Sequence, residues 1–113
     1  MLLFLPMHLH GSEGYVCSFA NFMPEIERDF IDLINAEKVK AAARIAELEL
    51  DLFDVLGTGN WFNYVVVLQN LSGLPKGYCR DPLPDWPEDD FDRLKEFLEN
   101  IRLKYQEIRE MVI

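Results

Sequence analysis

Lys38, Lys40, Lys76, Lys95 and Lys104 are the amines this chain could offer to imine chemistry. Such a lysine needs an apolar pocket that keeps its amine neutral. None of these lies on an apolar strand, and each reads as a solvated helix or loop residue. Cys17 and Cys79 are far apart and in no metal or redox spacing. Cys17 sits among apolar residues as a core thiol would, and neither cysteine has a histidine near it in sequence. His8 and His10 form an i, i+2 pair, which diverges on a helix and lacks a third metal ligand at useful spacing. Asp81, Asp85, Glu88, Asp89, Asp90 and Asp92 lack the glycine and spacing of a calcium loop. A helix N-terminus, which favours carboxylates, accounts for 88–90. No glutamate or aspartate is flanked like a buried acid. Arg80 reads as an anchor for a connector, bound to helix carbonyls or acidic neighbours. The residues therefore predict no metal, no cofactor and no nucleophile.

The elements that must carry these residues are mostly helical. Residues 2–10 read as a short apolar helix stopped by Gly11, with a turn through Gly14. Residues 15–20, YVCSFA, read as a strand, short and rich in aromatic and β-branched side chains. Period two places Val16, Ser18 and Ala20 on one face and Tyr15, Cys17 and Phe19 on the other. Pro24 suits a helix N1 position, with Glu25 and Glu27 in the first turn. Ile26, Phe30, Ile31 and Ile34 give that helix one apolar face, and it pauses at Asn35 and Ala36.

A longer helix is predicted over 37–56, with Gly57 as its C′ residue. Its apolar residues fill two faces. Val39, Ala43, Ala46, Leu50 and Phe53 make one; Ala41, Ile45, Leu48, Leu52 and Val55 make the other. Two apolar faces predict a helix sandwiched between neighbours. Asn60 can cap a further helix over 61–72, ended by Gly73, although its VVVL run favours strand. Pro82, Pro84 and Pro87 punctuate a connector over 74–87. A final helix from Pro87 onward carries Phe91, Leu94, Leu98, Ile101, Tyr105, Ile108 and Val112. Those alternating steps of three and four make the narrow seam used between packed helices.

With 113 residues the chain has the length of one domain. Half of it is hydrophobic and 12% is aromatic, which excludes a disordered tail. The 11 Lys and Arg face 20 Asp and Glu for a net charge of -9. A duplex-binding surface or a polybasic membrane patch needs clustered cations, so neither nucleic acid nor membrane is an expected partner. The start, MLLFLP, has no basic n-region and is interrupted by Pro6, which argues against a signal peptide. Two thiols without such a signal fit a cytoplasmic location, with a single disulfide as the open alternative.

One strand alone poses a physical problem. Its backbone donors and acceptors need partners, and burying them unpaired is costly. YVCSFA is also apolar on both faces, the pattern of a strand inside a covered parallel sheet. The segment predicts a sheet that the chain does not itself supply.

Leu3, Pro6, Gly11, Gly14, Ala20, Asn21, Pro24 and Glu25 stand in an order and spacing that resembles the dihydrodipicolinate synthase / N-acetylneuraminate lyase family. A second block, Gly73 followed by Arg80, Asp81, Pro82 and Leu83, is similar to that family's Gly…Arg-x-Pro-Leu stretch. His8, His10 and Val66 depart from the pattern. The resemblance implies a C-terminal fragment of a (β/α)8 TIM barrel, a fold of roughly 250 residues. Residues 1–56 would be its last helix-strand-helix part and 57–113 a C-terminal helical extension, in one structural unit. It further implies a lyase or aldolase that handles pyruvate or another 2-oxo acid through a Schiff-base lysine. That lysine and a catalytic tyrosine would lie upstream, so the chain alone is expected to be inactive. Val16 would match an apolar contact to the pyruvate carbons, and Ser18 a contact to substrate hydroxyls. Substrate would bind only in a complete barrel. The alternative from the residues alone is a non-catalytic helical interaction module, or a split-enzyme subunit completed by another chain. Either way, a homo-oligomer or a partner chain is expected.

Overall fold

The computed structural model describes residues 1–57, 61–74, 77, 79–80 and 91–112, with residue 61 at the backbone only. Among these the fold is helical: α1 (Phe4–Leu9), a 3-10 turn (Ser18–Asn21), α2 (Pro24–Asn35), α3 (Val39–Ala46), α4 (Leu48–Leu56), α5 (Trp61–Leu71) and α6 (Phe91–Val112). Asn60 and residues 81–90 lie outside the described residues, so the Asn60 cap, the proline connector and most of the acidic cluster do too. None of the described helices is long and apolar enough to cross a membrane.

Local chemistry sets most helix ends. Pro24 begins α2, with Glu25 and Glu27 in its first turn. Three helices close in the same way, with a left-handed C′ residue and a pair of back-reaching amides. After α1, Gly11 has φ 94°, its amide donates to the His8 carbonyl, and Ser12 donates to Met7. After α5, Gly73 has φ 86°, its amide donates to Asn70, and Leu74 donates to Gln69. After α2 the same bonds run from Glu37 to Ile34 and from Lys38 to Leu33, but the left-handed residue is Glu37, at φ 60°. This is the pause expected at Asn35 and Ala36, and it puts a side chain where glycine is preferred.

The long helix expected over 37–56 is two helices that meet at Glu47. Glu47 keeps right-handed geometry (φ -60°, ψ -26°), so the break is a bend without a proline or glycine. Gly57 is also right-handed at φ -68°, and is a C-cap rather than a left-handed C′ residue.

The core forms where α2 packs on α3 and the 3-10 turn, and α6 runs across α3, α4 and α5. Ile26, Phe30, Leu33 and Ile34 fill the inner face of α2. Leu94, Leu98, Ile101 and Tyr105 fill the seam of α6, joined by Phe97. The Tyr105 hydroxyl bonds Asp29 at 2.5 Å and lies 3.2 Å from the Glu25 carbonyl. Arg109 Nε sits 3.1 Å from the same Asp29 carboxylate.

The two apolar faces over 37–56 are covered unevenly, and Ala46 of the first is fully buried. Ile45, Leu48 and Leu52 are buried, whereas Val39, Leu50 and Phe53 are about half exposed. The expected sandwich is therefore closed at Ala46 and open at Val39, Leu50 and Phe53. Leu3, just before α1, and Leu9 at its end are exposed too.

Candidate functional site

The segment expected as a strand over 15–20 is extended only as far as Cys17 (φ -144°, ψ 143°). No strand forms among the described residues, and Ser18–Asn21 turns instead into a 3-10 helix. The physical reason is the one posed by the sequence: a strand needs ladder partners, and none of the described elements is a strand. Lacking them, the chain folds back at once. Phe19 is fully buried and Phe22 and Met23 nearly so, and the Met23 amide donates to the Phe19 carbonyl at 2.7 Å.

The side-chain alternation survives the loss of the ladder. Tyr15, Cys17 and Phe19 turn inward. The Tyr15 ring packs 4.9 Å from Phe4 and 5.7 Å from Phe30, and its hydroxyl donates to Glu27. Burial first, and the Glu27 carboxylate second, hold this phenol well above its ordinary value. Cys17 Sγ lies 3.4 Å from Glu49 Oε1. Burial, and then the Glu27 carboxylate, push the thiol up to about 12. A thiol so shifted is a core group and not a nucleophile at neutral pH.

Glu49 corrects the reading that no acid is buried. It is 7% exposed, accepts the Leu2 amide at 2.7 Å, and faces the Met1 amino group at 3.0 Å. Its flanks, Leu48 and Leu50, carried that signal. Its partners, 47 and 48 positions away, had no local signal.

Val16 turns the other way and is fully exposed, at 102%. With Ser18 it lines a cavity of about 390 Å³ whose walls include Phe62, Val65 and Val66. Ser18 also lines a second cavity of about 390 Å³, beside Phe53, Leu56 and Gly57. Ser18 is thus the residue common to both, and Val16 stands at the rim of the first. Cys79 lines that first cavity too, a placement nothing near it in the sequence announced.

The first cavity therefore offers apolar walls together with Ser18, Asn21, Gln69 and the thiols of Cys17 and Cys79. Lys38, Lys40 and Lys95 are exposed, and Lys104 pairs with Asp51 at 2.7 Å. None of these four lines either cavity. Lys76 is outside the described residues. His8 and His10 are exposed on and beside α1, and His8 lies 5.4 Å from the Phe4 ring. No group of three or more His, Cys, Asp or Glu among the described residues is arranged to hold a metal ion. Arg80 is exposed. Such a surface can bind and orient a ligand.

Comparison with known proteins gives two matches. The family model described as the dihydrodipicolinate synthetase family matches residues 2–101. A curated relative, an uncharacterized DapA-like lyase from Pyrobaculum islandicum, is 31% identical over 90% of this chain. The chain spans 37% of that relative's length. No solved structure matches the chain.

Proposed function

Because the chain belongs to the dihydrodipicolinate synthetase family, we propose that it forms the C-terminal part of a pyruvate-handling Schiff-base lyase and has no lyase activity alone. The observation that carries this reading is the separation of binding from chemistry. Val16 and Ser18 stand at the cavity mouths, and the lysines described are elsewhere. In the complete barrel a lysine amine would condense with the 2-oxo acid carbonyl and release water. The resulting imine would draw electrons from the C–C bond that breaks. The residues of this chain would serve that step from the side. Val16 would contact the carbon next to the carbonyl, and the Ser18 hydroxyl would hydrogen-bond a substrate hydroxyl.

Borohydride reduction in the presence of pyruvate tests the first half. We expect no mass increase on this chain alone, and a pyruvyl adduct on any of its lysines would sink the proposal. Replacing the matched portion of the Pyrobaculum relative with this chain tests the second half. In that chimera Ser18→Ala is expected to raise KM for a hydroxylated substrate with little change in kcat.

A second reading rests on a different observation. Leu3, Leu9, Val39, Leu50 and Phe53 form exposed apolar surface that a non-catalytic interaction module or a split-enzyme subunit would cover with another chain. A monomer at micromolar concentration that binds no hydrophobic dye would count against it.

A further inference from the structure

Cys17 and Cys79 are distant in sequence, yet both are free thiols, both are partly buried, and both line the first cavity. They belong to different walls of it. Cys17 comes from the extended segment that leads into the 3-10 turn. The facing wall is one side of α5, where Phe62, Val65, Val66 and Gln69 follow helical spacing. Cys79 is fastened to that second wall. Two residues before it, the Gly77 amide donates to Asn70 Oδ1 at 3.3 Å. A side-chain carbon at Gly77 would meet a Val66 methyl at 4.0 Å, so the backbone there lies against α5. From Gly77 the chain reaches no further than about 7 Å to Cys79. The 3-10 turn in turn packs on α5, which sets the two walls beside each other.

We infer that Cys17 and Cys79 are a redox pair, and that a disulfide between them ties the two walls together and narrows the cavity. A disulfide needs its two Cα atoms within about 7 Å of each other. A round space of about 390 Å³ is roughly 9 Å across, so forming the bond draws the walls inward. The electrons go to a low-molecular-weight disulfide in two exchange steps. In the first, Cys79 gives up its proton and its sulfur attacks one sulfur of the small disulfide. The S–S bond breaks, and one small thiolate leaves and is protonated. Cys17 does not start the exchange, because burial pushes its thiol up to about 12. Its own step is intramolecular, where proximity stands in for reactivity. The Cys17 proton passes to Glu49 Oε1, which lies 3.4 Å from the sulfur. The Cys17 sulfur then attacks the Cys79 sulfur, and the second small thiolate leaves with a proton. One small disulfide becomes two small thiols, and the protein loses two hydrogens. The inference goes beyond the lyase reading and does not depend on it.

The test incubates the full, folded chain at micromolar concentration in glutathione buffers of rising oxidised fraction. Remaining thiols are then blocked and the peptides mapped by mass. Both thiols should disappear together, in a monomer lighter by two hydrogens, with the Cys17 and Cys79 peptides joined. Cys17→Ser should stop at a glutathione adduct on Cys79. Cys79→Ser should leave Cys17 reduced under the same conditions. Bridging so long a loop should raise the melting midpoint by about 5 °C or more, and dithiothreitol should reverse the rise. The wild-type map alone decides the pairing if either variant fails to fold. Thiols that stay free in the most oxidised buffer would overturn the inference. So would separate glutathione adducts on the two cysteines, bridges between chains, or pairing only in denaturant. An oxidised chain that melts no higher than the reduced one would overturn it too, because the bond would then not fit the native walls. Pyruvate enters none of these measurements, so failure of Schiff-base trapping leaves them untouched.

Discussion

The α2–α6 contact and the segment at 14–17 lie in one small chain and are built by opposite rules. Where α2 meets α6, the contact is made by side chains, apart from the Glu25 carbonyl that accepts the Tyr105 hydroxyl. Asp29 there takes both the Tyr105 hydroxyl and Arg109. At 14–17 the side chains are partly satisfied, and no backbone bond joins the segment to another described element. A helix can be finished locally, whereas a strand is finished only by another strand.

The largest effects should break this contrast at the core. Phe30→Ala removes a fully buried ring between α1, Tyr15 and the rest of the core. Its expected cost is about 3–5 kcal/mol in denaturant unfolding. Val16→Ala, on the open side, should change stability by less than about 0.5 kcal/mol. A comparable loss at both positions would erase the distinction between the two regions.

A smaller effect sharpens the comparison through pH. The Tyr105 phenol is held above its ordinary value, by burial first and then by its bond to Asp29. Tyr15 is raised in the same direction. Each proton is bound more tightly in the folded chain than in the unfolded one. Their contribution is therefore complete below the unfolded phenol value near 10 and is lost as pH rises beyond it. Melting temperature should hold steady up to about pH 9 and fall above it. Tyr105→Phe should flatten that alkaline slope, and an unchanged slope would mean the hydroxyl is not held as described.

The smallest effect concerns a helix end. Glu37 occupies the left-handed position that Gly11 and Gly73 fill in the other two closures. Glu37→Gly should stabilise the chain by up to about 1 kcal/mol, read as a raised melting midpoint. A lowered midpoint would mean that the Glu37 side chain contributes more than the strain it imposes.

The helices were legible in the sequence because their causes are local. Pro24, Gly73 and the seam from Phe91 to Val112 each announce structure within a few residues. The segment over 15–20 was legible as β-prone but not as bound. Its propensity is local, while its partners are not. Glu49 was misread for a similar reason, since the Leu2 amide that stabilises it is 47 positions away. The bend at Glu47 had no breaker residue to mark it. In the candidate site, period two separated Val16 from Tyr15 and Cys17, but a segment apolar on both faces read as covered on both, and Val16 is instead exposed. The convergence of Ser18 with Phe53, Phe62 and Cys79 required the fold.

The Tyr105–Asp29 bond joins positions 76 apart. Closing a loop of that length costs roughly 4 kcal/mol on the logarithmic law for flexible chains. The contacts of α2 with the 3-10 turn and α3 span far shorter loops and incur much less. During folding, the order of assembly is thus written into the spacing. The α2 neighbourhood can condense early from local contacts, and the long C-terminal helix gains its anchor only when there is a formed surface to receive it. The bond that fastens the C-terminal helix to α2 is thus expected late in assembly, once the surface it docks on has formed.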